Sequence, residues 1–226
     1  MPARRQRQVA SDAGLSKQRV VGEAVRIADR EGIDGLSMRR LAAALGAGAM
    51  SLYHYVPNKD ELLDGMVDVV FREIELPPTD LEWRAAMRTR ALSTREALNR
   101  HRWAVGLMES RRTPGPASAR LHDAVLGCLR EGGFSIELTV QAYSVLDAYI
   151  YGFALQETSV PFEDAEGAAA VATEQVAEYD GFADYPYLAE VVAGHVATVG
   201  YDFASAFEFG LNLVLDALEQ RRSAQG

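Results

Sequence analysis

The chain has 226 residues, 48% of them hydrophobic, enough for a buried core in one large domain or in two smaller ones. No apolar run approaches the roughly 18 to 20 residues of a membrane span, and residues 1–15 lack the apolar centre of a secretory signal, so a cytoplasmic protein with no membrane partner is expected. The single cysteine, Cys128, excludes an intramolecular disulfide framework and a paired-cysteine zinc site; the net charge of −9 hides a division into +5 over residues 1–59 and −14 over residues 60–226, so only the head suits phosphates.

Residues 1–15 are polar, basic and aperiodic, which fits a disordered tail and also an arm whose Arg4, Arg5 and Arg7 touch a DNA backbone or minor groove. From Ser16 onward Val20, Ala24, Ile27 and Ala28 recur at helical spacing, Val21 and Val25 widen the stripe, and Gly32 stands where a C-terminal cap belongs. Ser37 opens a second helix, expected to turn Leu41, Ala44 and Leu45 inward and Arg39 and Arg40 outward until Gly46 ends it. A third helix is expected over about 48–56, keeping Leu52 and Val56 for the core and exposing several of Met50, Ser51, Tyr53, His54 and Tyr55 before Pro57 stops it. Asn58, with Glu61 three residues on, caps a fourth helix striped by Leu62, Leu63, Met66, Val70 and Ile74, which Pro77 and Pro78 terminate.

Beyond the proline pair, helical patterns fall at about 82–101, 103–110, 116–131, 136–157, 163–179, 186–195 and 201–220, with no convincing strand or repeat. The expected fold is all-α: an N-terminal three-helix helix-turn-helix DNA-binding domain followed by a C-terminal helical bundle. The expected divisions are a basic arm over 1–15, the DNA-binding domain over 16–76 and the bundle over 79–222.

Two short helices broken by a glycine turn, exposed aromatics and hydroxyls, and cations on both sides describe a module that enters the DNA major groove. The run E-G-I-D-G-L-S-M-R-R-L-A-A-A-L-G, followed by S-L-Y-H-Y-V-P-N-K-D-E-L-L-D, resembles the N-terminal domain of the TetR family of transcriptional regulators, over residues 16–72. The resemblance implies a base or phosphate contact for Arg39, a groove-facing set of Ser51, Tyr53, His54 and Tyr55, and a phosphate contact for Lys59. Ala49 and Met50 belong to the same DNA-binding set, yet together with Gly48 they depart from the family by offering no side-chain hydrogen bond. Methyl contacts with thymine and DNA shape are then left to help Arg39 specify the operator.

In the last helix Phe203, Phe207, Leu211, Val214 and Leu218 form one stripe, extended by Phe209, Leu213 and Ala217. The helix at 136–157 matches it in character, with Ala142, Leu146, Tyr149 and Phe153 on one side and the small Ala148 and Gly152 available for close approach. Both could be core helices of a single chain. The family resemblance implies instead that they pair with their symmetry mates in a homodimer, through Ala142, Tyr149, Phe153, Phe207, Leu211, Val214 and Leu218.

Polar groups set into apolar helices are His101, Trp103, Arg111, Gln141, Tyr143, Asp147, Tyr151 and Gln156, with Met108 among them. The helices that carry them correspond in order to those enclosing the inducer pocket of TetR-like proteins, and this body resembles the tetracycline-repressor branch. That implies a small-molecule inducer lined by His101, Met108, Tyr143, Asp147 and Tyr151.

Enzyme chemistry finds no support: His54, His101, His122 and His195 form no metal-ligand pair, no nucleophile or phosphate-loop motif occurs, and Cys128 has no activating neighbour in sequence. No catalytic residue, metal or cofactor is expected, and a metal held with the inducer by His101 or His122 is not indicated by spacing. The expected function is a repressor released from an inverted-repeat operator by a small molecule. An activator or ligand-independent DNA binder, and a small-molecule-binding protein with a vestigial helix-turn-helix, remain as alternatives.

Overall fold

The computed structural model describes residues 14–108, 110, 115–160, 162, 164–178 and 184–224; Arg4, Arg5, Arg7 and Arg111 lie outside them. The described residues form helices and no strands, and the chain divides into a unit ending at Ala154 and one beginning at Leu155.

In the first unit α1, Lys17–Glu31, starts where extended Ser16 accepts a hydrogen bond from the Arg19 amide at 3.2 Å, satisfying one of the first-turn donors. Its buried face is Val20, Val21, Ala24, Val25, Ile27 and Ala28, the stripe read from the sequence. Gly32 at φ 73 ends it, a left-handed conformation that glycine adopts without Cβ strain, and its N–H returns to the Ala28 carbonyl at 2.8 Å. Ser37 caps α2, Met38–Ala44, by accepting from the Arg40 amide. Here the inward face is Leu41, Ala42 and Leu45, while Ala44, expected inside, is exposed. The register is the reason: Ala42 lies three residues before Leu45 and beside Leu41, which centres the stripe on that edge.

Gly46 at φ 65 turns the chain into α3, Ala49–Leu52, a single turn where a helix to residue 56 was expected. The Tyr55 and Val56 amides both bond the Leu52 carbonyl at 2.9 Å, so the chain leaves the α spiral as a turn. Pro57 enforces this, since a proline disfavours helical backbone at the residue before it. Asn58 then accepts from the Glu61 amide at 2.8 Å and opens α4, Lys59–Glu73. Leu15 and residues from α1 to α4, including Leu36, Leu41, Leu52, Val56, Leu62 and Met66, make one buried cluster that fixes the attitude of α3.

α5, Trp83–Arg100, is followed by a 3-10 turn at Arg102–Ala104 and the short α6, Val105–Met108. Pro116 occupies the first turn of α7, Pro116–Glu131, and Ile136 begins α8, Ile136–Ser159, which runs on into the second unit. Trp83 meets Phe134 edge-on at 4.8 Å, bracing the start of α5 against the α7–α8 turn.

The second unit holds α9, Ala165–Glu178, and α10, Pro186–Val191, which passes through a π-helical turn at Val192–Val196 into α11, Ala197–Val199. Gly200 at φ 79 packs against the Ala165 backbone so closely that a Cβ would overlap its carbonyl. α12, Phe203–Ser223, begins at Asp202, whose carboxylate accepts from the Ala204 and Ser205 amides at 3.0 and 3.2 Å.

Candidate nucleic-acid interface and ligand site

The helix-turn-helix presents one polar rim. Arg39, Ala49, Met50, Tyr53, His54 and Lys59 are exposed, Met50 at 77%, while Ser51 is half-buried. Tyr55 is also half-buried and packs against the N-terminal core, so its ring helps to hold α3 as well as bordering the rim. Of the two arginines of α2, Arg40 forms an ion pair with Glu31 of α1, which leaves Arg39 as the outward guanidinium of the pair. Lys59 is the first residue of α4, where the helix N-terminus adds positive potential to the ammonium.

Two polar joints connect this module to the helices behind it. In the first, Asp29 of α1 lies 2.7 Å from His101 Nδ1 and accepts from Trp103 Nε1 at 2.7 Å; His101 Nε2 lies 3.2 Å from Glu73 of α4. Arg100 donates to the same Glu73 carboxylate at 2.9 Å. Burial pushes the Glu73 carboxyl upward, but the Arg100 hydrogen bond and the adjacent His101 ring outweigh it and hold the group below the usual carboxylate value of 4.5. His101, expected in the ligand pocket, is therefore placed at the seam between α1, α4 and the end of α5.

The second joint centres on Asp68, 5% exposed, on the buried face of α4. Its Oδ1 accepts from the Ala117 amide at 2.8 Å, and Oδ2 takes Arg72 Nη2 at 2.5 Å. Gly115 occupies the N-cap of α7 and brings no side chain of its own. Asp68 supplies the missing capping oxygen from another helix, and a Cβ at Gly115 would overlap its carboxylate.

Tyr143, Asp147 and Tyr151 of α8, expected to line a ligand pocket, lie around a further charged residue, on α5. Arg90 of α5 is 1% exposed, and its Nη1 lies 2.6 Å from Asp147 Oδ1. Burial pulls the guanidinium down, and the Asp147 carboxylate, with Tyr151 and Tyr143 beyond it, outweighs that and keeps it charged. Burial first, and then the Asp147 carboxylate, push the Tyr143 phenol far above the ordinary tyrosine value, so it stays protonated. Tyr143 also meets His122 of α7 edge-on at 5.6 Å, and His122 meets Phe71 of α4 at 6.0 Å. Met108 is buried in α6 at 6%. The signal for Arg90 was its spacing: Trp83, Ala86, Met87, Arg90, Ala91, Thr94, Ala97 and Leu98 form the buried stripe of α5.

The residues expected to meet a second copy need correction. Ala142, Phe207 and Leu211 are fully buried within the chain and Leu218 is 7% exposed, so they cannot also be the surface offered to a partner. Tyr149, Phe153 and Val214 are half-buried, the first two as a tilted pair 5.9 Å apart. The outward face of α12 carries Phe209 at 68% and Leu213 at 55%; that of α8 carries Val140, Val145, Ala148 and Gly152. Both helices are apolar nearly all round, and periodicity alone did not tell which stripe the chain covers itself.

Residues 20–66 match the family described as "Bacterial regulatory proteins, tetR family", and residues 76–222 match "Tetracyclin repressor-like, C-terminal domain". The HTH-type transcriptional repressor DrrR1 of Streptomyces coeruleorubidus is 40% identical over 91% of this chain and 77% of its own length. The class A tetracycline repressor from transposon 1721 of Escherichia coli is 30% identical over 92% of each chain. The solved structure of the Streptomyces coelicolor TetR family protein ActR in complex with actinorhodin is similar with a TM-score of 0.75 and 30% identity, over 91% of this chain and 96% of that one. With a helix-turn-helix displaying a polar rim and a helical body matched along its length, the chain belongs to the TetR family of DNA-binding transcriptional regulators.

Proposed function

We propose that this protein is a homodimeric repressor that binds an inverted-repeat operator and leaves it when a small molecule enters the helical body. Residues 16–76 serve as the DNA-binding domain, residues 79–222 as the sensor and dimerisation domain, and residues 1–15 as a basic arm. The observation that carries the reading is the rim of Arg39, Met50, Tyr53, His54 and Lys59, exposed together on a module whose other face is fully packed. Arg39 is suited to guanine or phosphate, Tyr53 and Lys59 to phosphates, and Ala49 and Met50 to thymine methyl groups.

Two recognition helices must be held about 34 Å apart to meet successive major grooves, which requires a dimer. The exposed apolar faces of α8 and α12 support that, and the small Ala148 and Gly152 allow close approach. ActR, crystallised with actinorhodin, is the example in which a small molecule occupies such a protein. Release follows if the ligand shifts α4, and two links favour α4 as the moving part: the Phe71–His122–Tyr143 ring series leading to Asp147, and the Asp68 cap on α7. A coupling of about 1 to 3 kcal/mol weakens operator affinity roughly 5 to 150 fold.

The test is binding of the full chain to its own upstream DNA, titrated between about 50 and 200 mM salt. A steep salt slope with a protected inverted repeat supports the reading, and absent or sequence-independent binding refutes it.

A further inference from the structure

We infer that the ligand site of this chain is built for a molecule carrying a paired acidic oxygen group, a carboxylate or its vinylogous equivalent, with Arg90 as the anchoring cation. The inference rests on the body being a ligand sensor and adds the chemical class of what it senses.

Arginine is always charged and presents five N–H donors in a planar fork, so a guanidinium with 1% exposure needs acceptors on more than one edge. Asp147 Oδ1 lies 2.6 Å from Nη1, yet Nε, Nη1 and Nη2 make no aligned hydrogen bond among the described residues. Each buried donor left so costs about 1 to 3 kcal/mol. A buried ion pair is also commonly no more stabilising than two packed apolar side chains, so the burial is not explained by what Arg90 and Asp147 do for each other.

The outer edge of the fork, Nε with Nη2, matches the two oxygens of a carboxylate, which bind it through two parallel hydrogen bonds. A neutral amide or ketone brings one acceptor oxygen and leaves a donor unmet. A cationic ligand is disfavoured because the Asp147 charge already faces Arg90. Tyr143 and Tyr151 flank the pair, and Tyr143, half-buried, is the member that reaches toward solvent. Their rings suit a planar apolar body behind the acid group.

The experiment is isothermal titration of the purified full chain, without DNA, with three acids: salicylate, 1-hydroxy-2-naphthoate and anthraquinone-2-carboxylate, each beside its neutral carboxamide. At least one acid is expected to bind ten or more times tighter than its amide. In Arg90→Lys, which keeps a charge for Asp147 and removes the fork, that preference should drop below threefold. Equal binding of acid and amide throughout, no binding of any acid, or full acid preference retained in Arg90→Lys would overturn the inference. Should Arg90→Lys fail to fold by circular dichroism, the wild-type comparison decides alone. An acid that binds with tenfold preference yet leaves operator binding untouched upholds the acid site and removes the inducer role, while absence of operator binding by the unliganded chain refutes the repressor reading by itself.

Discussion

Replacing Asp68 by alanine removes the oxygen that caps α7 from α4, and the structure sets the size of the effect. The carboxylate is 5% exposed and accepts the Ala117 amide at 2.8 Å, the first N–H of a helix whose first residue is a proline and whose N-cap is a glycine. A charge-assisted hydrogen bond of this kind contributes about 1.5 to 3 kcal/mol, and loss of an N-cap costs about 0.5 to 2. The Arg72 partner is 58% exposed, so its share is about 0 to 1 kcal/mol. Asp68→Ala is therefore expected to lose about 2 kcal/mol, Asp68→Asn under about 1, because the amide oxygen still caps, and Arg72→Ala under about 1. Urea unfolding followed by circular dichroism, at one fixed protomer concentration, reads all three as shifts in midpoint at constant slope. If Asp68→Asn or Arg72→Ala costs as much as Asp68→Ala, the residue acts through its charge and the capping account is wrong.

Three further outcomes follow from the geometry. Arg39→Ala should weaken operator binding by about 1 to 3 kcal/mol and relax specificity at the base it meets, whereas Lys59→Ala should weaken all sequences alike and lower the salt slope by about one; unchanged affinity in both would misplace the rim. Phe209→Asp combined with Leu213→Asp should give a monomer in sedimentation equilibrium, and a dimer that persists would exclude that face of α12 as an interface. The Glu73 carboxyl is held below its ordinary value of 4.5, so its contribution is complete above that value and is lost as pH falls through the folded-state value. The urea midpoint should therefore decline between about pH 5 and about pH 3 less steeply in Glu73→Gln than in the natural chain, and parallel declines would mean that the Arg100 and His101 contacts do not stabilise the ionised form.

The caps and stripes that build the DNA-binding module are local, and local signals carried them. Ser37 and Asn58 cap the two helices they were expected to cap, Ser16 caps α1 in the same way, and the buried face of α1 is the one its spacing describes. The rim residues were legible for the same reason, since a short helix between a glycine turn and a proline has few faces to offer. The divergence at α3 is local too: two amides sharing the Leu52 carbonyl shorten the helix to one turn.

What a single helix cannot disclose is which of its faces the rest of the chain covers, and the joints depend on that. α12 is apolar on two stripes; Phe207 and Leu211 went inside and Phe209 and Leu213 outside, a choice made by the other elements. His101 reads as a polar residue at the end of an apolar helix, and its partners Asp29 and Glu73 lie 72 and 28 residues away in sequence. Yet Arg90 and Asp68 share a trait visible without coordinates: each is a charge at a stripe position of an amphipathic helix, flanked by Ala86, Met87 and Ala91 in one case and Val67, Val70 and Phe71 in the other. A charge there must be met by a partner from another element or by a ligand, because burying it alone costs several kcal/mol. Asp68 meets the end of α7 and is accounted for by architecture. Arg90 meets Asp147 and still holds buried donors without an aligned hydrogen bond among the described residues, which is the surplus that the proposed acid site would use.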